Sequence, residues 1–274
     1  MTAESSFAAR LAAATSARGQ LCVGVDPHPG LLEVWGLPDD VDGLERFSRD
    51  LVEALADSVA CFKPQAAFFE AFGPAGLAVL QRVLADIKAA GAISLLDCKR
   101  GDIDSTMAAY ARAYLQGGAP LQADAITVSP FLGFASLEPA IDLAASNGAG
   151  LFVLTRTSNP EGASPQLARQ TDGATVAQSI VDQAKASNLA AGTPLIGLVV
   201  GATLKQLDID LGGFDGWVLA PGIGAQGGAM AGLEDLFGGY QRVLPTVSRW
   251  VADAGPSPDG LRQAVVSLLE REDT

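Results

Sequence analysis

Eight short apolar segments alternate along the chain with longer segments whose apolar residues recur at helical spacing, as Leu44, Phe47 and Leu51 do. We expect strands near Leu21–Val25, Val59–Phe62, Ala92–Leu96, Ala125–Val128, Leu151–Leu154, Leu195–Val200, Trp217–Leu219 and Val243–Val247. Alternating strands and helices predict a parallel sheet, and eight repeats favour closure into a (β/α)8 TIM barrel over an open sheet.

The chain of 274 residues has no Pro/Ser-rich linker or shift in composition, so we interpret it as a single α/β domain. A short amphipathic helix, at about residues 3–18 and centred on Phe7 and Leu11, is expected to cap the bottom of the barrel. Glu4, Arg10 and Arg18 interrupt this segment, which argues against a secretory signal. No apolar run approaches the roughly 18 residues that cross a bilayer.

The charge balance limits the classes of partner. Eighteen Lys and Arg face 31 Asp and Glu, a net charge of −13. Because nucleic acids and anionic membranes are bound mainly by basic patches, neither is an expected partner. Cys22, Cys61 and Cys98 lie in separate apolar segments and predict buried, reduced thiols in a cytoplasmic protein.

The chain contains one histidine, His28, between Pro27 and Pro29. A zinc site rich in histidine is therefore impossible, and a Ser-His-Asp triad would depend on this residue alone. We interpret His28 as a structural loop residue.

The first candidate for chemistry follows the third predicted strand, where Asp97 and Lys99 are separated by Cys98. Side chains alternate along a strand, so Asp97 and Lys99 share one side and point into the mouth of the barrel. The pattern by itself fits a structural ion pair as well as a catalytic one.

Two further charged residues favour the catalytic interpretation over the structural one. Asp26 ends the first predicted strand, and Lys63 ends the second in an apolar context where a lysine needs partners. The first three strands thus bring acidic and basic side chains alternately to one rim, the end of such barrels where active sites form. This arrangement favours a functional interpretation.

A second candidate is the glycine-rich segment after the seventh strand, together with Ser248 and Arg249 after the eighth. Glycines allow backbone NH groups to approach a phosphate, and these two loops are the usual phosphate site of the fold. Gly222, Gly224 and Gly227 also match a dinucleotide-binding pattern, but they lie late in the chain and no ribose-binding acid follows. A phosphomonoester site is the better interpretation.

After the fifth strand, Ser158 and Asn159 precede Pro160. Their side chains could bind a planar polar ring, but Asn-Pro is equally typical of a simple turn. The two interpretations remain open.

Together these segments, from Val23 to about Trp250, resemble the orotidine 5'-phosphate decarboxylase family. Asp97, Lys99 and Asp102 match its catalytic Asp-x-Lys-x-x-Asp motif. The resemblance implies decarboxylation of orotidine 5'-phosphate to uridine 5'-phosphate in pyrimidine biosynthesis, with no metal or organic cofactor and with Lys99 protonating C6.

The same resemblance implies roles for the other candidates. Lys63 matches the family lysine on strand 2, Asp26 the aspartate that contacts ribose, and Ser158 the serine that binds the pyrimidine. The residues implied to cover the ring and hold the phosphate are Pro221, Gly222, Gln226, Gly227, Ser248 and Arg249.

The resemblance also implies a homodimer in which Asp102 and Thr106 enter the partner's site. The chain differs from the common family pattern at Asp104, where proline is frequent, and at Ser248, where glycine precedes the arginine. The loop after Ser158 is also extended, which indicates a divergent subgroup.

Two alternative functions remain to be compared with the one that the resemblance implies. A magnesium-dependent sugar-phosphate aldolase or decarboxylase shares the motif, but such enzymes carry a metal-binding glutamate where this chain has Lys63. A non-catalytic phosphate-binding protein would have no need of a lysine that is costly to bury between carboxylates.

Overall fold

A computed structural model describes residues 6–224 and 227–270. Its eight parallel strands form a closed barrel in the order of the sequence, and β1 pairs with both β2 and β8. The strands are β1 (Cys22–Val25), β2 (Cys61–Pro64), β3 (Ile93–Arg100), β4 (Ala125–Val128), β5 (Gly150–Arg156), β6 (Ile196–Val200), β7 (Val218–Pro221) and β8 (Val243–Val247). The predicted (β/α)8 barrel is confirmed.

Helices surround this barrel in the described part of the chain. They are α1 (Phe7–Arg18), α2 (Pro29–Val34), α3 (Val41–Leu55), α4 (Ala66–Glu70), α5 (Gly73–Ala89), α6 (Asp104–Leu115), α7 (Glu138–Asn147), α8 (Ala163–Gln166), α9 (Val176–Ala191), α10 (Gly232–Phe237), α11 (Arg249–Ala252) and α12 (Pro258–Leu269). Short 3-10 turns lie at Phe134–Leu137 and Pro160–Gly162.

Four strands, β2, β3, β5 and β7, extend further at their carboxyl ends than the apolar pattern predicts, and the first two carry charged candidates. β2 continues through Lys63 to Pro64, and β3 continues through Asp97 and Lys99 to Arg100. The end of β3 stays paired with β4 after an irregularity in register, where Arg100 lies opposite Val128. The charged residues are therefore held by the sheet itself and not by a loop.

The interior of the barrel forms one apolar cluster, which includes Cys22, Cys61 and Phe152. Helix α1 closes its lower end: Phe7 and Leu11 are buried in the same cluster, and the Phe7 ring meets Phe152 edge-on at 5.9 Å. This helix begins at Phe7, after the cap residue Ser6, and residues 3–5 of the predicted segment lie outside the described residues. A second, larger cluster fills the space between strands and outer helices.

Two surface features bear on function. Among the described residues no helix has both the length and the apolar character needed to cross a membrane.

Ile103, Phe131 and Leu132 are large apolar side chains that are more than half exposed. They follow β3 and β4, and we call them the apolar patch.

Candidate active site

The carboxyl ends of the strands surround a cavity of about 540 Å³. Nine of the predicted site residues line it: Asp26, Lys63, Asp97, Lys99, Ser158, Pro221, Gly222, Ser248 and Arg249. β4 and β6 also contribute, through Thr127 and through Val199 with the following Gly201. Residues at or just beyond the ends of all eight strands thus meet in one pocket.

The centre of the pocket is a network of four charged side chains. The Asp97 carboxylate accepts from Lys99 Nζ at 2.6 Å through Oδ1 and from Lys63 Nζ at 3.1 Å through Oδ2. Lys63 Nζ also lies 4.0 Å from Asp26 Oδ1. The Lys63 and Asp97 side chains are only 7% and 11% exposed, whereas Lys99 is 47% exposed and reaches the open cavity.

The network keeps its charges in spite of burial. Burial by itself raises the pKa of Asp97, but the positive charges of Lys63 and Lys99 outweigh it and lower that pKa well below its usual range. Burial likewise opposes the charged form of Lys63, yet Asp97 and Asp26 raise its pKa above the usual value. Each buried charge is thus stabilised by an opposite one, as buried ions require.

Thr127, at the centre of β4, completes the network and was missed in the sequence. Its hydroxyl donates to Asp97 Oδ1 at 2.8 Å and accepts from the Lys99 backbone NH at 2.9 Å. Lys99 has φ of 45°, a left-handed backbone that is uncommon outside glycine. A threonine in an apolar strand is ordinary, so nothing in the local pattern distinguished this residue.

The loop after β5 is secured by polar contacts behind Ser158. Arg156 is buried and donates through Nε to the Asp208 carboxylate at 3.0 Å. Gln166 closes the loop by accepting from the Thr157 backbone NH at 2.9 Å. A Cβ on Gly201 would lie 2.8 Å from the Ser158 Cβ, so only glycine there lets Ser158 take this position.

The opposite side of the pocket is formed by the loops after β7 and β8. Gly222 has φ of 112°, which favours glycine, and its carbonyl accepts from the Gly228 backbone NH at 3.1 Å. Ser248 Oγ is buried without a hydrogen-bond partner among the described residues, and Arg249 follows it at the edge of the cavity. Because buried polar atoms are nearly always paired, Ser248 is available to a ligand.

Three of the predicted site residues that the structure describes lie outside the pocket of this chain. The Asp102 carboxylate accepts from the Ile103 backbone NH at 2.8 Å, and Thr106 is exposed on α6. Gly227 is exposed and outside the cavity lining. Gln226 lies outside the described residues.

His28 has the structural role that was predicted, and it also borders the cavity. It caps α2, with Nδ1 accepting from the Leu31 backbone NH at 3.3 Å. Gln65 and Phe68, just after β2, line the cavity as well and were missed in the sequence. Their position directly after Lys63 and Pro64 was the available signal.

All three cysteines are buried and free, as predicted. Burial raises the pKa of Cys98 to about 12, so its thiol stays protonated. Among residues 6–224 and 227–270, no three His, Cys, Asp or Glu side chains gather as a metal site.

The fold and pocket define a class of protein: a (β/α)8 barrel whose site combines a buried Asp/Lys network with glycine-rich loops suited to an anion. A family profile described as Orotidine 5'-phosphate decarboxylase / HUMPS family matches residues 19–259. The chain belongs to this family.

Individual relatives are similar over nearly their whole length. The chain is 55% identical to the orotidine 5'-phosphate decarboxylase of Salinispora tropica, over 96% of each chain. It is also 55% identical to that of Streptomyces coelicolor, over 94% of each. A crystal structure from Streptomyces avermitilis, assigned as an orotidine 5'-phosphate decarboxylase, superposes with a TM-score of 0.91 at 54% identity, covering 97% of this chain and 94% of that one.

Proposed function

We propose that this protein decarboxylates orotidine 5'-phosphate to uridine 5'-phosphate and carbon dioxide in pyrimidine biosynthesis. The observation that carries the proposal is the Lys63–Asp97–Lys99 network at the mouth of the barrel. The names of the relatives at 55% identity support the same activity.

In the proposed reaction the bond between C6 and the substrate carboxylate breaks, and its electron pair remains on C6. Lys99 Nζ then donates a proton to C6, and the neutral lysine regains a proton from solvent. Asp97, 2.6 Å from that ammonium, orients it before substrate binds. Lys99 suits this task because it is the exposed cation of the network.

The rest of the pocket is proposed to bind the nucleotide. Asp26 faces the ribose and Ser158 faces the pyrimidine, while Lys63 is a catalytic residue together with Asp97, Lys99 and Asp102. The pocket residues proposed to cover the ring and hold the phosphate are Pro221, Gly222, Ser248 and Arg249. Gln226 and Gly227, from the same glycine-rich segment, are proposed to join them. Phosphate binding remote from C6 supplies energy that aligns the ring, so a substrate without phosphate should lose turnover as well as affinity.

The proposed reaction uses no metal or organic cofactor. Each Asp97 carboxylate oxygen already accepts from a lysine ammonium. A divalent cation at this carboxylate would have to displace one of these ammonium groups. The network therefore suits a mechanism in which lysine supplies the positive charge. Because its cysteines are free, we also place the enzyme in the cytoplasm.

We further propose a homodimer in which Asp102 and Thr106 complete the partner's site. Both residues lie outside the pocket of their own chain, in the same segment as Ile103 of the apolar patch. Exposed apolar surface of this kind is typical of an interface.

The activity is tested by mixing the purified protein with orotidine 5'-phosphate and excess chelator, and following orotate absorbance together with formation of uridine 5'-phosphate. We expect rapid conversion. Strict dependence on added magnesium would instead support a sugar-phosphate enzyme, and binding without conversion would support a phosphate-binding protein.

The shared site is tested by mixing variant subunits. Heterodimers of Lys99→Ala with Asp102→Ala should regain activity, since one of their two sites then holds both native residues. Heterodimers of Lys99→Ala with Asp97→Asn are the matched control and should stay inactive. Each subunit supplies both Asp97 and Lys99 to its own site, so each of the two sites lacks one native residue. Equal behaviour of the two mixtures would contradict a shared site.

A further inference from the structure

Thr127 is the one neutral side chain bonded to both halves of the Asp97/Lys99 pair, within the described residues. It is 1% exposed, and its hydroxyl uses both its donor and its acceptor capacity. It donates to Asp97 Oδ1 at 2.8 Å and accepts from the Lys99 backbone NH at 2.9 Å. One hydroxyl group therefore touches the carboxylate and the main chain of the two residues at once.

The bond to Asp97 determines how that carboxylate is turned. Oδ1 of Asp97 accepts hydrogen bonds from the Thr127 hydroxyl and from Lys99 Nζ, while Oδ2 accepts one from Lys63 Nζ. Without the hydroxyl, the carboxylate could rotate and exchange the oxygens that face the two lysines. The position of the Lys99 ammonium would then be less well defined.

The bond to Lys99 acts on the backbone. At φ of 45° Lys99 has a conformation that side chains other than glycine rarely adopt and that persists only where surrounding contacts enforce it. The Thr127 oxygen is such a contact, and it comes from the neighbouring strand β4. It holds the Lys99 main chain at the turn from which the side chain enters the pocket.

We propose that Thr127 is a positioning residue for decarboxylation, acting by holding Asp97 and Lys99 in the geometry required for proton transfer to C6. The inference rests on the proposed function. It adds to that function a residue without charge, whose effect lies in turnover and not in binding of the nucleotide.

The test compares Thr127→Val, which keeps the shape of the side chain but removes the hydroxyl, with Thr127→Ser, which keeps the hydroxyl. We expect Thr127→Val to lower kcat by about 10- to 100-fold, the loss typical of a small misplacement of a catalytic group. The dissociation constant of uridine 5'-phosphate should be unchanged. Thr127→Ser should recover most of kcat.

Thr155 provides the matched control. It is fully buried on the adjacent strand β5, and its hydroxyl donates to the Val153 carbonyl at 2.9 Å and to no site residue that the structure describes. Thr155→Val removes a comparable buried hydroxyl and should leave kcat unchanged. Unfolding in urea, measured for each variant, reports folding separately from turnover.

The outcomes separate the two proposals. If the unaltered protein does not convert orotidine 5'-phosphate, the proposed function fails. If it does and Thr127→Val retains full kcat, or loses product binding as much as turnover, the positioning role is wrong. Failure of Thr127→Ser to recover kcat contradicts it equally. Should Thr127→Val not fold, Thr127→Ala gives the same comparison.

Discussion

The two halves of the pocket are built in different ways. On the side of β1 to β4, the functional groups are side chains held by the strands and bonded to one another, as Asp97 is to Lys63 and Lys99. On the side of β5 to β8, most of them lie in the segments that follow the strands. Each half holds one buried side-chain oxygen without a hydrogen-bond partner among the described residues, but Asp26 Oδ1 has the Lys63 ammonium 4.0 Å away, whereas Ser248 Oγ has no such ion pair.

This difference separates two tasks. The first half is organised before any ligand arrives, which is the condition for electrostatic stabilisation of a transition state without further rearrangement. Under the proposed function, bonds such as that of Ser248 in the second half form when ligand binds, and their energy can align the substrate. We therefore expect changes in the first half to affect turnover or stability, and changes in the second to affect binding.

The largest expected effect is that of Lys99→Ala. Loss of the proton donor and of a preorganised charge should lower kcat by about 10³-fold or more. Binding of uridine 5'-phosphate, measured by calorimetry, should persist because the loops of the second half are intact. Lys88→Ala, an exposed lysine on α5, is the control and should turn over normally. Normal turnover by Lys99→Ala would refute the mechanism.

Asp97→Asn should lower the free energy of unfolding at pH 7 by about 3 kcal/mol, because Lys63 is left buried without its main counter-charge. Since the pKa of Asp97 is lowered on folding, its contribution is complete above the pKa of an unfolded aspartate, about 4. It is lost as the pH falls from there toward the folded pKa.

The difference between wild type and Asp97→Asn should therefore shrink below about pH 4. Urea unfolding over a pH series measures it. The exposed Asp39→Asn serves as control and should show no comparable loss at pH 7. A small difference at pH 7 would mean that the network adds little to stability. A difference that stays constant into acid would mean that the charge of Asp97 is not its source.

Arg249→Ala tests the second half. Loss of a charge-assisted bond to phosphate, worth about 1.5–3 kcal/mol, should weaken uridine 5'-phosphate binding by roughly 10- to 100-fold. Binding of uridine without phosphate should be unaffected by the change. The exposed Arg46→Ala on α3 is the charge-matched control. If Arg249→Ala weakened both ligands equally, Arg249 would not be the phosphate partner.

Gly201→Ala should have the smallest effect, confined to the ring-binding side. The added methyl group meets Ser158 at 2.8 Å, and relief of such overpacking costs about 1–3 kcal/mol. We expect KM for orotidine 5'-phosphate to rise by roughly tenfold. Gly232→Ala, where no atom lies within 4 Å of the new methyl group, should behave as wild type. Unchanged KM for Gly201→Ala would show that Ser158 can move without consequence.

The sequence by itself determined the barrel and most of its charged residues. Apolar periodicity identifies buried strands because their two-sided burial leaves continuous apolar runs, and β4 and β8 have the predicted bounds. Asp26, Lys63, Asp97 and Lys99 were recognisable because charge at the end of an apolar strand is unusual. Alternation along the strand then placed Asp97 and Lys99 on one side.

Only the tertiary structure decided which groups touch. Thr127 and Asp97 are 30 residues apart, and Arg156 and Asp208 are 52 apart. Their types are ordinary in a strand and a loop, so nothing local marks them as partners. Barrel closure brings them together through strand pairing and a register irregularity in β3. Sequence patterns report periodicity and local chemistry, whereas a hydrogen bond across strands depends on register, which packing of the whole barrel sets.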